Sequence, residues 1–192
     1  MVILIDMDDV LECLVNAWIP YLNKKYSTNV AVEDIKEWNM SKAFPTLSYE
    51  QVYSAEMDDD FWKDVKPMPG ADEALRKLIA DGHELFVVTA TVYETLRSKM
   101  ENVLFKYFPY LDWSHVIITS HKYLINGDIL IDDGPHNLAK GNYHKILFEA
   151  CHNRSFDESS IGAVRVKNWE EAYEEVCRYA AEKETSAALT KK

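Results

Sequence analysis

The sequence is poor in cysteine and in positive charge, and each shortage excludes a class of protein. Its three cysteines, Cys13, Cys151 and Cys177, lie far apart in 192 residues, so neither a disulfide framework nor a cysteine metal site is predicted. Reduced thiols favour a cytoplasmic location. Lysine and arginine number 21 against 32 aspartates and glutamates, a formal net charge of -11. Such a chain lacks the basic face that a nucleic-acid polymer or an anionic membrane requires.

Long apolar runs and metal-binding histidine spacings are also missing. The opening MVILID has no basic residues before it and is too short for a signal peptide or a membrane span. The six histidines show no H-x-H or H-x3-H spacing, which argues against a zinc site. The adjacent Cys151 and His152 would diverge along the chain, so we expect no catalytic pair there. The remaining expectation is a soluble domain, with or without an insertion.

Strands alternate with helices through the second half of the chain. Short apolar runs at VILI, HELFVVTAT, HVIITS, DILIDDG and KILFEA predict five strands, and WEEAYEEVCRYAAEK predicts a closing helix. This alternation indicates an α/β fold with a parallel, Rossmann-like sheet. Helix is also predicted from Val10 to Ser27, where Pro20 is expected to kink or break it.

Acidic residues follow two of these strands. Asp6 and Asp8 come after the first strand, and side chains two apart face the same way in an extended segment. Asp132 and Asp133 end the fourth strand. Each pair has a second interpretation as a helix cap. Because loops at the carboxyl ends of parallel strands gather in one crevice, we expect the two pairs to meet.

Converging carboxylates need a cation. Three or four of them would repel one another strongly, and Mg²⁺ prefers carboxylate oxygens, water and phosphate. Thr89 at the end of the second strand and Lys122 in a later loop add groups that bind phosphate. Alone, each is an ordinary strand-end or surface residue. Their joint order along the chain is what carries the prediction.

These residues resemble the four motifs of the haloacid dehalogenase superfamily of phosphohydrolases, here DMDDV, VVTAT, the lysine of SHK, and ILIDDG. The chain further resembles the 5'(3')-deoxyribonucleotidases, through DMDDVL, PMPGA, GDILIDD, ILFEACHN and NWEEA. The resemblance runs from Ile3 to about Ala172 and is weakest between the first strand and PMPGA. It implies hydrolysis of a small nucleotide substrate, and it is compatible with a homodimer.

The resemblance also implies a role for each motif residue. Asp6 would be the nucleophile that forms an aspartyl-phosphate, and Asp8 the acid and base. Mg²⁺ would be held by Asp6, the backbone carbonyl of Asp8, and Asp133, with Asp132 supporting. Thr89 and Lys122 would bind the phosphate. Two positions depart from the family: Asp9 replaces the usual glycine and is expected to cap the next helix, and Ala90 replaces a serine.

The segment between the first two strands is expected to form a small helical cap. The predicted division is a core of residues 1–13 and 67–183, a cap of residues 14–66, and a flexible tail of residues 184–192. Trp38 and Trp62 are candidates to stack on the nucleobase, against the alternative that they belong to the cap's own core. That alternative is favoured for Phe61. Leu14 stands where the family has a phenylalanine.

Two other functions stay open at this point. One is a phosphatase of the same superfamily that acts on another small phosphate ester. The other is a phospho-aspartate receiver domain, which also gathers aspartates, a threonine and a lysine around Mg²⁺. In a receiver the lysine comes last, whereas Lys122 precedes Asp132 here.

Overall fold

Six parallel strands form one sheet in the computed structural model, which describes residues 1–190. The strands are β1 (Val2–Ile5), β2 (Glu84–Thr89), β3 (Val116–Ile118), β4 (Ile129–Asp132), β5 (His144–Phe148) and β6 (Ala163–Val166). They lie in the order β3-β2-β1-β4-β5-β6, and each neighbouring pair is parallel. The α/β class and the parallel, Rossmann-like sheet are therefore confirmed.

Both faces of the central strands are covered. Ile3 and Ile5 of β1 pack into the larger apolar cluster on one face, whereas Leu4 between them packs into a second cluster on the other. All three side chains are fully buried. A strand covered on both sides needs apolar residues at every position, which explains the continuous run VILI.

The edge strand β6 was missed by the sequence analysis. Its sequence AVRV carries Arg165, and only Val166 is fully buried. A charged side chain within so short a run removes the apolar continuity that identified the other strands, and charge on an edge strand discourages pairing with another chain. The strand forms by pairing with β5, in a register that places Lys145 opposite Ala163.

Eight α-helices surround the sheet within the described residues. They are α1 (Leu14–Tyr26), α2 (Tyr49–Tyr53), α3 (Asp59–Asp64), α4 (Ala71–Ala80), α5 (Tyr93–Lys99), α6 (Phe105–Tyr107), α7 (Pro135–Leu138) and α8 (Trp169–Thr190), with a π-helical stretch, Met100–Leu104, joining α5 to α6. Among the described residues, no helix combines the length and apolar character that crossing a bilayer would take.

Helix α1 continues through Pro20, so the expected break at this proline was wrong. One side of the helix is buried, through Leu14, Val15, Trp18, Ile19 and Leu22. Packing of such a face contributes more to helix stability in a folded protein than the preference of one residue.

The first turn of α1 is capped by a residue that does not directly precede the helix. Cys13, which precedes the helix, makes no side-chain cap, whereas the carboxylate of Asp9 accepts the backbone N–H of Val15 at 3.1 Å. Asp9 has a φ of 52°, in the left-handed region that favours glycine. Its helix-capping bond therefore accompanies a backbone conformation that is costly for aspartate.

Residues 14–66 fold into helices α1 to α3 and two 3₁₀ turns, Val32–Asp34 and Met40–Ala43. The chain enters and leaves this segment through two linkers that are hydrogen-bonded side by side. The N–H of Cys13 donates to Lys66 O at 2.9 Å, and the N–H of Met68 donates to Leu11 O at 2.8 Å. The predicted boundary between core and cap falls on this pair of linkers.

Helix α8 connects the end of the chain to the first loop. It extends through residues 184–190, which the sequence analysis assigned to the tail, and residues 191–192 lie outside the described part. The indole N–H of buried Trp169 donates to the backbone carbonyl of Val10 at 2.8 Å. This bond fixes the loop that follows β1.

Replacing Trp169 with phenylalanine removes that donor and leaves the Val10 carbonyl unsatisfied. Because an unpaired buried polar group costs about 1–3 kcal/mol, we expect the free energy of unfolding to fall by that amount or more in urea titrations. Trp113→Phe, at an indole that is 55% exposed, is the matched control. Equal stability of the two variants would contradict the assigned role of the indole bond.

Candidate active site

The two acidic pairs meet at the point where the strand order reverses. Asp6 follows β1 and Asp132 ends β4, and these two strands are neighbours in the sheet. After β1 the next strands, β2 and β3, are added toward one edge of the sheet, whereas after β4 the strands β5 and β6 are added toward the other edge. The N–H of Asp6 donates to Ile131 O at 2.9 Å, which extends the ladder up to the two pairs. In open parallel sheets, ligands bind at such a switch point, outside the carboxyl ends of the strands.

Lys122 lies buried between the two strand ends. Its Nζ is 2.7 Å from Asp6 Oδ1 and 2.6 Å from Asp132 Oδ2, and its side chain is 2% exposed. Burial alone would lower the pKa of Lys122, but the charges of Asp6 and Asp132 outweigh it and raise the pKa. The lysine therefore remains charged and holds the two carboxylates together.

Asp132 and Asp133 differ in how many hydrogen bonds their carboxylates accept. Asp132 Oδ2 accepts from Lys122, and its Oδ1 accepts from the N–H of Gly134 at 2.7 Å and from Asn137 Nδ2 at 3.0 Å. Asp133 Oδ1 is buried without a hydrogen-bond partner. Burial and the charge of Asp6 raise the pKa of Asp133 well above its usual range.

This arrangement suits a divalent cation. Carboxylate oxygens of Asp6, Asp132 and Asp133 lie within 4.8 Å of one another, and all three residues are buried. Burial also raises the pKa of Asp6 to about 7, with Lys122 opposing the rise and Asp132 adding to it. Crowded acidic oxygens of which one is unpaired are the hard ligands that Mg²⁺ prefers.

Asp8 is paired with a lysine that the sequence analysis missed. Lys99 is fully buried at the end of α5, and its Nζ lies 2.6 Å from an Asp8 oxygen. The same Nζ donates to Thr89 Oγ1 at 3.0 Å. Burial acts to raise the pKa of Asp8, but Lys99 outweighs it and holds the pKa below its usual value. No sequence motif indicated Lys99, because a lysine at the end of a helix such as α5 is usually an exposed surface residue.

Glu12 is a second group that the sequence analysis did not single out. Its side chain is fully buried on the linker beside Pro67, and neither carboxylate oxygen has a hydrogen-bond partner. Burial and the neighbouring charge of Asp8 raise the pKa of Glu12 well above its usual range. A pKa raised in this way favours the neutral form of Glu12, which avoids a second negative charge beside Asp8.

Two cavities open on either side of Asp8. The larger, of about 560 Å³, is lined by Lys122, by apolar and aromatic side chains of the segment 14–66, and by the carboxylates of Asp6, Asp8, Asp9 and Asp133. The smaller, of about 330 Å³, is lined by Lys99, by apolar side chains and by four hydroxyl-bearing residues, Thr91, Thr95, Thr119 and Ser120.

The two candidate stacking tryptophans lie in different cavities. Trp38 lines the larger one, is 53% exposed, and meets the rings of His136 and His152 edge-on at 4.7 and 4.9 Å between centroids. Trp62 lines the smaller one, is 2% exposed, and donates its indole N–H to the backbone carbonyl of Glu56 at 2.8 Å. One bound base would not contact both rings.

Leu14 and Phe61, which the sequence analysis also considered, lie in different places. Leu14 lines the larger cavity, whereas buried Phe61 packs against Trp18 and Trp62 inside the helical segment. His152 Nε2 lies 3.3 Å from Asp133 Oδ2, a proximity that the sequence analysis did not predict. Burial lowers the pKa of His152.

Known sequences match nearly the whole chain. A family model described as "5' nucleotidase, deoxy (Pyrimidine), cytosolic type C protein" matches residues 1–182. The 5'(3')-deoxyribonucleotidase of Bacillus subtilis is 36% identical over 171 residues, which cover 88% of this chain and 95% of that protein. The 5'(3')-deoxyribonucleotidase of Clostridium acetobutylicum is 31% identical over 168 residues, which cover 88% and 90%.

Solved structures share the fold at lower identity. A HAD family hydrolase from Deinococcus radiodurans, solved with bound phosphate and sodium, aligns with a TM-score of 0.64 at 17% identity over 93% of this chain and 96% of its own. A predicted phosphatase from Clostridium acetobutylicum aligns with a TM-score of 0.61 at 17% identity over 92% and 98%. These likenesses establish a haloacid dehalogenase-like fold.

Replacing Lys99 with methionine leaves the carboxylate of Asp8 beside Glu12 without its cation. Removing one partner of a fully buried pair costs about 3–5 kcal/mol. Because the Asp8 side chain is 27% exposed, we expect a smaller loss in the free energy of unfolding at pH 7. Lys63→Met is the matched control, since Lys63 forms an exposed pair with Asp60 and should contribute little. If both variants unfold at the same urea concentration, the buried pair does not stabilise the fold.

Proposed function

This chain belongs to the family of 5' nucleotidase, deoxy (pyrimidine), cytosolic type C proteins, and we propose that it hydrolyses deoxyribonucleoside monophosphates to nucleoside and phosphate. The observation that carries the proposal is Lys122, buried between Asp6 and Asp132, with Asp8 facing the adjoining cavities. This arrangement supports the roles proposed here for Asp6 as nucleophile, Lys122 as cation for the phosphate and Asp8 as acid and base. A receiver domain is set aside by the family match.

Asp6 is the proposed nucleophile. Its carboxylate oxygen attacks phosphorus while the bond from phosphorus to the sugar oxygen breaks, which leaves an aspartyl-phosphate on Asp6. The position of Asp6 immediately after β1 supports this role, because the sheet holds its backbone rigidly. Lys122, next to Asp6 Oδ1, attracts the phosphoryl oxygens and limits the charge that develops on them.

Asp8 is the proposed acid and base. It donates a proton to the departing sugar oxygen and then accepts one from the water that hydrolyses the aspartyl-phosphate. Because Lys99 holds the pKa of Asp8 low, the negative charge of the bound phosphate must raise that pKa before Asp8 acts as the acid. Lys99 orients its carboxylate, and Glu12 confines it from the linker side. The hydroxyl of Thr89 accepts from Lys99, and Thr89 is fully buried and lines neither cavity, which supports a role in holding Lys99 beside Asp8.

Asp6, Asp133 and the backbone carbonyl of Asp8 are the proposed holders of Mg²⁺. The unpaired Oδ1 of Asp133 supports a direct role, whereas the saturated carboxylate of Asp132 supports an indirect one. When bound, the cation would lower the pKa of Asp6 and offset the charge of the phosphoryl group.

The nucleoside is assigned to the larger cavity. Its aromatic and apolar wall, with Trp38 at the rim, suits a flat base, and its opposite end, where Lys122 and the proposed cation lie, suits the phosphate. The buried position of Trp62 supports a different task for that residue. Its ring lies 5.7 Å from Lys99 Nζ, so it packs beneath the lysine that orients Asp8.

A substrate panel tests the activity and its leading rival, hydrolysis of another small phosphate ester. We expect dUMP and dTMP to be hydrolysed with higher kcat/KM than ribonucleotides and sugar phosphates, with loss of activity in EDTA. Asp6→Asn should lower kcat by several orders of magnitude, because it removes the nucleophile. It also removes a charge from the buried pair with Lys122, so activity is compared per folded enzyme, measured by circular dichroism. Equal or better turnover of sugar phosphates would favour the rival, and an active Asp6→Asn variant would exclude the aspartyl-phosphate.

Asparagine substitutions at the second acidic pair separate the two proposed metal roles. Loss of an outer partner typically weakens metal binding about 10- to 100-fold, so Asp132→Asn should fall in that range. Asp133→Asn, which removes a direct ligand, should weaken it further. Calorimetric titration with MgCl₂ and the Mg²⁺-dependent shift in Tm measure this without reference to turnover. Weaker binding in Asp132→Asn than in Asp133→Asn would reverse the two roles.

A further inference from the structure

Glu56 lies where the two cavities meet. It belongs to the turn between α2 and α3, and it lines both cavities together with Asp8, Ala90 and Ser120. Asp8, Ala90 and Ser120 follow strands of the sheet, whereas Glu56 comes from the segment 14–66. Glu56 is therefore the residue of segment 14–66 that faces the reacting centre at the branch point, which is the place where the two cavities meet.

The carboxylate of Glu56 is held in the cleft without a partner of its own. Its backbone carbonyl accepts the indole N–H of buried Trp62, which fixes the turn. No hydrogen bond to its carboxylate occurs among the residues whose side chains the structure describes. Burial and the charge of Asp8 together raise the pKa of Glu56 to about 7, against the opposing charge of Lys99. A partly buried carboxylate that lacks a donor is suited to accept one from a ligand.

The position of Glu56 relates it to the sugar of the substrate. Asp8 protonates the departing oxygen, which belongs to the sugar, so groups beside Asp8 lie at the level of the sugar. The aromatic side chains that suit the base, including Trp18, Trp38 and Tyr53, line only the larger cavity. The donor nearest to the branch point is then the second hydroxyl of the deoxyribose.

We propose, on the premise of the function proposed above, that Glu56 determines specificity at the sugar. It accepts a hydrogen bond from the free second hydroxyl of a deoxyribonucleoside monophosphate. It also disfavours substrates that carry another phosphate at that hydroxyl, because the negative charge of that phosphate would face the carboxylate of Glu56.

The test compares three substrates of one base: a deoxynucleoside 5'-monophosphate, its 2',3'-dideoxy analogue, and the 3',5'-bisphosphate. For the native enzyme, loss of the hydroxyl should lower kcat/KM by roughly 10- to 100-fold, the usual effect of a hydrogen bond to a charged group. In Glu56→Ala this ratio should approach one. Glu56→Gln should keep part of the preference for the hydroxyl and gain relative activity on the bisphosphate. Glu33→Gln, at an exposed glutamate of the same segment, should leave all ratios unchanged.

These ratios are independent of the fraction of folded enzyme, so partial misfolding of a variant does not imitate the result. A native discrimination that persists in Glu56→Ala would overturn the role of Glu56 and leave the nucleotidase function intact. Absence of hydrolysis of any nucleotide by the native enzyme would overturn the proposed function itself, and this inference with it.

Discussion

The rest of this structure depends on one buried ion pair network, in which Lys122 joins Asp6 to Asp132. Parallel strands β1 and β4 are adjacent in the sheet, and each delivers a carboxylate to the same few ångströms of space. Without a cation those charges would repel one another and separate the strand ends. Lys122 supplies one positive charge, and the unpaired oxygen of Asp133 leaves room for the second that a metal would bring.

A second network joins Asp8 to the helical segment of residues 14–66. Asp8 is held by Lys99 on the core side, and Glu12 lies against it on the linker that leads to α1. The π-helical stretch that follows Lys99 and the ring of Trp62 confine this lysine further. The orientation of Asp8 is thus tied to the packing of residues 14–66 on the core.

Much of the fold was predictable because β1, β2, β4 and β5 are apolar at successive positions, as strands covered on both faces must be. Strand β6 was not, because Arg165 interrupts its short apolar run. Pro20 was misread, since the buried face of α1 outweighs the preference of one residue. At the site, Asp6, Asp132 and Lys122 were found by their order after strands. Lys99 was not predicted because nothing in the local sequence separates it from an exposed helix lysine. Only its burial in the folded protein distinguishes it.

The sequence by itself determined the class of the fold, the strands that lead to the site, and the family, since these follow from local runs of residues and from motif order. Tertiary structure alone decided which carboxylate oxygens are paired, which lysine faces Asp8, and that Trp38 and Trp62 occupy separate cavities. The physical reason is that pairing and burial depend on distances between residues far apart in the chain. Such distances arise only when the strands and the helical segment pack together.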